Sequence, residues 1–254
     1  MEYWQHQTSD KPLYPDIIWS KPETASGAGK LLIIGGSVGN FADVARTFTD
    51  AESAGAGTIH LLVPEILRPI TKQIPFINYA PHNPSGSFSR KSLAEFLDLG
   101  QIVDGTLIAG DLGRNSETSL LLEDFMDKYT GWLIIAPQAI ESFACGYQKI
   151  LNRDHTVLFL NYDQLRALAI ELKSEIALTS DIPKSNLAKL LHDLTSKNPN
   201  CLLIFEQNPD SVWTSYKGNI AETTGPKHNP AKSAVWLIQQ TEKPFQSLVS
   251  SLVI

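Results

Sequence analysis

Residues Leu31 to Pro64 read LLIIGGSVGNFADVARTFTDAESAGAGTIHLLVP. The apolar residues Leu31 to Ile34 run into Gly35-Gly36-Ser37, a helical pattern follows, and Gly55-Ala56-Gly57 leads into a second apolar run from Thr58 to Val63. Continuous apolar runs mark strands buried on both faces, and parallel strands need a crossover helix between them. The stretch is therefore a βαβ unit with glycines at both handovers, where backbone approaches closely and helix-start N–H groups attract anions. By spacing it is neither a dinucleotide fingerprint nor a Walker loop, since no Lys-Ser/Thr pair follows.

Outward from this unit, residues 1–29 hold Pro12, Pro15 and Pro22 and read as an irregular N-terminal arm. The patterning predicts strands near 30–35, 58–63, 105–110, 132–136, 156–160 and 201–205, and a hairpin strand near 212–216. Helices are expected near 41–54, 89–99, 116–126, 162–169, 184–196, 231–240 and 245–254, with a short one from Pro64-Glu65. Ile74 to Ser89, with Pro75, Pro81 and Pro84, reads as loop, with His82 solvated in it; Thr223 to Pro230 reads as a glycine-proline loop. Strands alternating with helices predict a three-layer α/β fold with a mainly parallel sheet in a single domain over 1–254. Ligands on such sheets lie beyond the carboxyl ends of the strands.

The 254 residues carry 21 Lys and Arg against 27 Asp and Glu, a formal net charge of -6. Scattered cations on an acidic chain give no footprint for nucleic acid. Two distant cysteines, Cys145 and Cys201, make neither a disulfide framework nor a metal-ligand spacing. No run reaches the roughly 18 consecutive apolar residues of a membrane span, and MEYWQHQTSD lacks the layout of a signal peptide. The expectation is a cytoplasmic protein without a membrane or nucleic-acid partner, with an oligomer of identical chains allowed by the fold.

Two runs then resemble one family when taken together. LIIGGSVGNF with AESAGAGTIHLLVPE (Leu32–Phe41, Ala51–Glu65), and DGTLIAGDLGRNSET (Asp104–Thr118), are similar to the opening motifs and the G-x-G-L-G-R stretch of the ADP- or ATP-dependent NAD(P)H-hydrate dehydratases. Thr224-Gly225 and Pro244-Phe245 keep the register of that family's tail, so the likeness covers about residues 20–250. The resemblance implies a ribokinase-like fold, ATP or ADP with Mg²⁺ as cofactors, and hydrated NADH or NADPH as substrate. It implies nucleotide contact at Gly225, Lys227 and His228, and substrate contact at Gly36, Asp43, Gly113 and Asn161.

The family's glycine loop ends in a catalytic Asp, and Thr223 to Asn229 (TTGPKHN) puts Asn229 there. An amide can hold a hydrogen bond but cannot accept a hydroxyl proton as a carboxylate does. Pro226 removes one N–H donor from the loop. The family's two acidic residues after the fourth strand become Ala136-Pro137-Gln138-Ala139-Ile140, its Glu near the fifth strand becomes Gln164, and its Lys near the sixth becomes Glu206. Asp43 and Glu206 place negative charge where polyphosphate would lie, while Lys227 and His228 offer a new anion-binding loop. Asp163 or Asp111 stands as the substitute base if turnover persists, although Asp111 also reads as a plain turn residue. Three readings follow: an active hydrate dehydratase, a non-catalytic nucleotide-binding or scaffold descendant, and a sugar or hydroxymethylpyrimidine kinase, which the absent Asp weakens.

Overall fold

The computed structural model of the chain describes residues 2–71, 74, 76–225 and 228–253. Among them, ten strands form one sheet: β1 Trp4–Thr8, β2 Lys30–Gly35, β3 Thr58–Pro64, β4 Ile77–Ala80, β5 Gly105–Ala109, β6 Trp132–Ile135, β7 Thr156–Leu160, β8 Cys201–Asn208, β9 Ser211–Tyr216 and β10 Asn219–Thr224. Their order is β1-β10-β9-β8-β7-β6-β5-β2-β3-β4. Neighbours from β8 across to β4 run parallel, β9 is antiparallel to both its neighbours, and β1 lies parallel to β10.

The period of two along each strand splits the apolar residues between two faces. Leu32, Ile34, Ile108, Leu133 and Ile135 join one core, packed with Leu121, Phe125, Leu165, Leu187 and Leu191 from the helices over that face. Leu31, Ile33, Leu61, Leu107 and Ile134 join the other, with Val44, Ala51, Ala234, Val235 and Leu248. Leu31 to Ile34 are each 0% exposed, so each contributes on the order of 2 kcal/mol of burial. Helices on both faces of the sheet complete the expected three layers.

Gly35 fixes the height at which β2 meets β5. The two are paired Gly35 with Ala109, and a Cβ on Gly35 would lie 2.0 Å from the Ala109 carbonyl oxygen. No side chain fits there.

Three strands depart from the sequence expectation. The arm over 1–29 is not irregular throughout: it contains β1, a short helix Pro15–Trp19 and a 3₁₀ turn Ala25–Gly27. Its strand WQHQT is polar because it is an edge, with Gln7 its one buried residue. Gln7 Nε2 donates to Thr223 Oγ1 and the Val249 carbonyl, both at 2.8 Å, and its Oε1 accepts from Leu13 N–H. Within the proline-rich span β4 pairs with β3 at the opposite edge, where four residues suffice. β10 extends into Thr223 and Thr224, so the loop toward Pro230 is shorter than expected; its buried Glu222 is held by Lys184 at 2.5 Å. His82 is exposed, as expected, with Nδ1 3.3 Å from Glu65. In the helix Ala42–Ser53 the buried face is Val44, Phe48 and Ala51, and Glu52 points to solvent. Among the described residues no helix is long and apolar enough to cross a membrane.

Candidate functional site

Beyond the carboxyl ends of β5 and β6 lies a cleft of about 270 Å³. Ala109 and Gly110 supply its floor from β5, Ala136 to Gln138 follow β6, and Glu206 reaches it from β8. The helix Ala42–Ser53 contributes Asp43, Arg46, Thr47 and Asp50, a stripe at spacings of three, one and three. His228 to Ala231 close the remaining side, where the chain enters the helix Pro230–Gln239. Gly110 lets the end of β5 approach this helix closely: a Cβ on it would stand 3.0 Å from Val44 Cγ2, and its φ of +73° is left-handed.

Asn229 is the N-cap of the helix Pro230–Gln239. Its Oδ1 accepts from Ala231 N–H at 2.8 Å and more weakly from Lys232 N–H at 3.4 Å. A helix start leaves its first N–H groups without intrahelical partners, and these are what bind anions. Here Pro230 has no N–H to offer, and the next two are turned onto the Asn229 amide.

His228 is partly buried, its ring centroid 5.3 Å from that of Phe159. Its Nδ1 is enclosed without a hydrogen-bond partner among the described residues. Burial, aided by the nearby Lys232 charge, pushes its pKa down to about 4. His228 is therefore neutral near pH 7 and supplies no cation to an anion-binding loop, contrary to the expectation for it. Lys227, the other expected cation, lies outside the described residues, as does Pro226. Asp43, Asp50 and Glu206 set three carboxylates against the Arg46 guanidinium along the cleft. Among the described residues no group of three or more His, Cys, Asp or Glu could hold a metal ion.

The structure thus brings Asp43, His228 and Asn229 to one cleft. Gly36, Gly113, Asn161, Asp163 and Gly225 are not in its lining. Gly36 follows β2, where a Cβ would meet Leu67 at 3.3 Å. Gly113 N–H donates to Asp111 Oδ1 at 2.7 Å, so Asp111 is engaged as a turn residue. Asn115 caps the helix Ser116–Lys128, accepting from Glu117 N–H. Asn161 and Gln164 form a reciprocal capping box at the start of the helix Tyr162–Glu171, and exposed Asp163 sits in that first turn. Gly225 N–H donates to the Asp210 carbonyl. Sequence reasoning missed Arg46, Thr47 and Asp50, though with Asp43 they are spaced as one helical stripe.

No family model matches this sequence. The fold is that of the ribokinase-like superfamily: over 100% of this chain and 86% of the other, it superposes on a ribokinase-like superfamily protein from Enterococcus faecalis with a TM-score of 0.71 at 14% identity. Among named proteins of that fold it is similar to the ADP/ATP-dependent NAD(P)H-hydrate dehydratase of Bacillus subtilis, co-crystallised with ATP and Mg²⁺. That TM-score is 0.62, at 10% identity, over 94% of this chain and 85% of the other. In sequence it is 29% identical over 136 residues, 52% of its length, to the bifunctional NAD(P)H-hydrate repair enzyme of Moorella thermoacetica. The chain spans 25% of that curated relative.

Proposed function

We propose that this protein serves nicotinamide-nucleotide repair as a divergent relative of the NAD(P)H-hydrate dehydratases, holding hydrated NADH or NADPH at the cleft without nucleotide-driven turnover. The likeness in sequence to a hydrate repair enzyme and in fold to a hydrate dehydratase supports the substrate. The observation that carries the second half is Asn229. By the sequence resemblance it takes the place of the family's base, and its amide caps the helix Pro230–Gln239. A carboxamide has no useful affinity for a hydroxyl proton near neutral pH, so general-base catalysis at this position is absent.

We do not carry the ATP and Mg²⁺ of the dehydratase from Bacillus subtilis over to the described residues of the cleft. The helix-end donors are engaged, His228 is neutral, carboxylates outnumber the guanidinium, and no described carboxylate cluster suits a metal. No step is therefore routed through nucleotide or metal. A cytoplasmic location matches the relatives' role in cofactor repair.

One observation favours a second reading in which turnover persists. Asp43 lines the same cleft as Asn229, whereas Asp163 does not and Asp111 is bonded to Gly113. In that reading Asp43 takes the base's place. Wild-type protein, Asn229→Asp and Asp43→Asn are each given hydrated NADH with ADP or ATP and Mg²⁺, and the return of NADH absorbance is followed. Wild-type turnover abolished by Asp43→Asn establishes the second reading. Hydrated NADH bound by the wild type without turnover supports the first.

A further inference from the structure

The helix Tyr162–Glu171 buries Leu165, Leu168 and Ala169 against the sheet and leaves Ile170 67% exposed. Ile170 borders a groove of about 340 Å³, lined also by Ile176, Ala177 and Leu178 from the segment after the helix. The charged residues of that lining are Arg166 and Lys173, one on each side of Ile170 in sequence. Both are exposed, and neither side chain has a hydrogen bond or ion pair among the described residues. The groove shares no lining residue with the cleft beyond β5 and β6.

The neighbouring carboxylates are placed elsewhere. The two oxygens of Glu171 accept from the Tyr147 and Gln148 N–H groups, Asp181 accepts from Ser180, and Glu175 lines a separate groove with Asp193 and Lys197. Asp163 is exposed in the first helical turn and is not part of the lining. A lysine just past a helix end is ordinary, because it meets the negative end of the dipole. Arg166, in the middle of the helix, has no such reason. On a chain of net charge -6, a patch that is cationic and apolar is complementary to an acidic partner, and it repels its own copy across a two-fold axis.

We propose that this groove docks an extended acidic segment of another protein, with an apolar side chain over Ile170 and carboxylates on Arg166 and Lys173. Seven positions separate the two cations, about 10 Å along a helix axis, which an extended chain crosses in about three residues. Ala177 is exposed, and neither its N–H nor its carbonyl is hydrogen-bonded among the described residues, so an extended segment has backbone to pair with.

The test is selection of a random peptide library displayed on phage against the wild-type protein, with the enriched peptides then measured by fluorescence anisotropy. Peptides with two Asp or Glu residues about three apart and an apolar residue between them are the expected winners. Their affinity should fall about tenfold in Ile170→Ser, which gives up the burial of one aliphatic side chain, and by about tenfold or more in Arg166→Glu/Lys173→Glu. All three positions are exposed, so the variants should melt with the wild type; Arg166→Gln/Lys173→Gln takes the place of the charge reversal if that variant does not fold. Winners without acidic residues, winners that bind the charge-altered variant as well as the wild type, or no enrichment over an uncoated surface overturn the proposal. So does a dimer in light scattering that Ile170→Ser dissolves, since the groove then takes a second copy of the chain.

Discussion

Replacing Asn229 by alanine removes the side chain that caps the helix Pro230–Gln239 at the edge of the cleft. The Ala231 bond at 2.8 Å is of ordinary strength and the Lys232 bond at 3.4 Å is weak, so the cap is worth that of a single good acceptor. Loss of an Asn cap costs about 1 kcal/mol, and for a chain of this size that lowers the melting temperature by about 2 °C. Urea unfolding of Asn229→Ala is expected to move the midpoint with an unchanged slope, since the buried surface is the same. Hydrogen exchange at the Ala231 and Lys232 amides should accelerate by about fivefold, the same free energy read locally. Asn229→Asp keeps the acceptor and adds about 0.5 kcal/mol of favourable helix-dipole interaction. The carboxylates of Asp43, Asp50 and Glu206 oppose that gain, so this variant should stay close to the wild type. An alanine variant of unchanged stability, with unchanged exchange at both amides, would refute the capping geometry and what is built on it.

Other positions give independent checks. Gly35→Ala should cost about 3 kcal/mol or more in chemical unfolding, because its Cβ meets the Ala109 carbonyl at 2.0 Å; a well-tolerated alanine means the β2–β5 pairing is wrong. Gln7→Leu strands Thr223 Oγ1, the Val249 carbonyl and Leu13 N–H, and should cost about 2 to 4 kcal/mol by thermal or urea melts; a silent change means that β1 does not brace the edge. His228 has a folded pKa of about 4, below its unfolded value, so the unfolded chain binds the extra proton. Stability is full above about pH 6.5 and falls by at most about 3 kcal/mol as pH drops toward 4. His228→Gln should flatten that slope, and an identical pH profile in the variant excludes His228 as its source.

The βαβ core was legible because buried parallel strands are continuous apolar runs punctuated by glycine, as in Leu31–Ile34, Gly35 and Thr58–Val63. β1 was not, because an edge strand that buries only Gln7 carries no apolar period. β4 was hidden by its four residues among prolines, and β10 by Glu222, whose burial depends on Lys184 from a distant helix. At the site, Asn229 and Asp43 were legible through the family's motifs, as was Glu206. Arg46, Thr47 and Asp50 took no part in the motif, yet their spacing on one helix put them beside Asp43. Gly113 was carried over from the G-x-G-L-G-R motif, and Asn161 and Asp163 from their place at the end of the fifth expected strand. Local hydrogen bonding engages Asn161 in a cap and Gly113 in a turn, and Asp163 sits exposed beside that cap.

The most direct measurement of the central claim is the return of NADH absorbance from hydrated NADH with purified protein, Mg²⁺ and either ATP or ADP, run beside direct titration of hydrated NADH. The predicted result is saturable binding of the hydrate with no rate above the protein-free control under either nucleotide. A wild-type rate that vanishes when nucleotide is left out, or a failure to bind the hydrate at all, would contradict it.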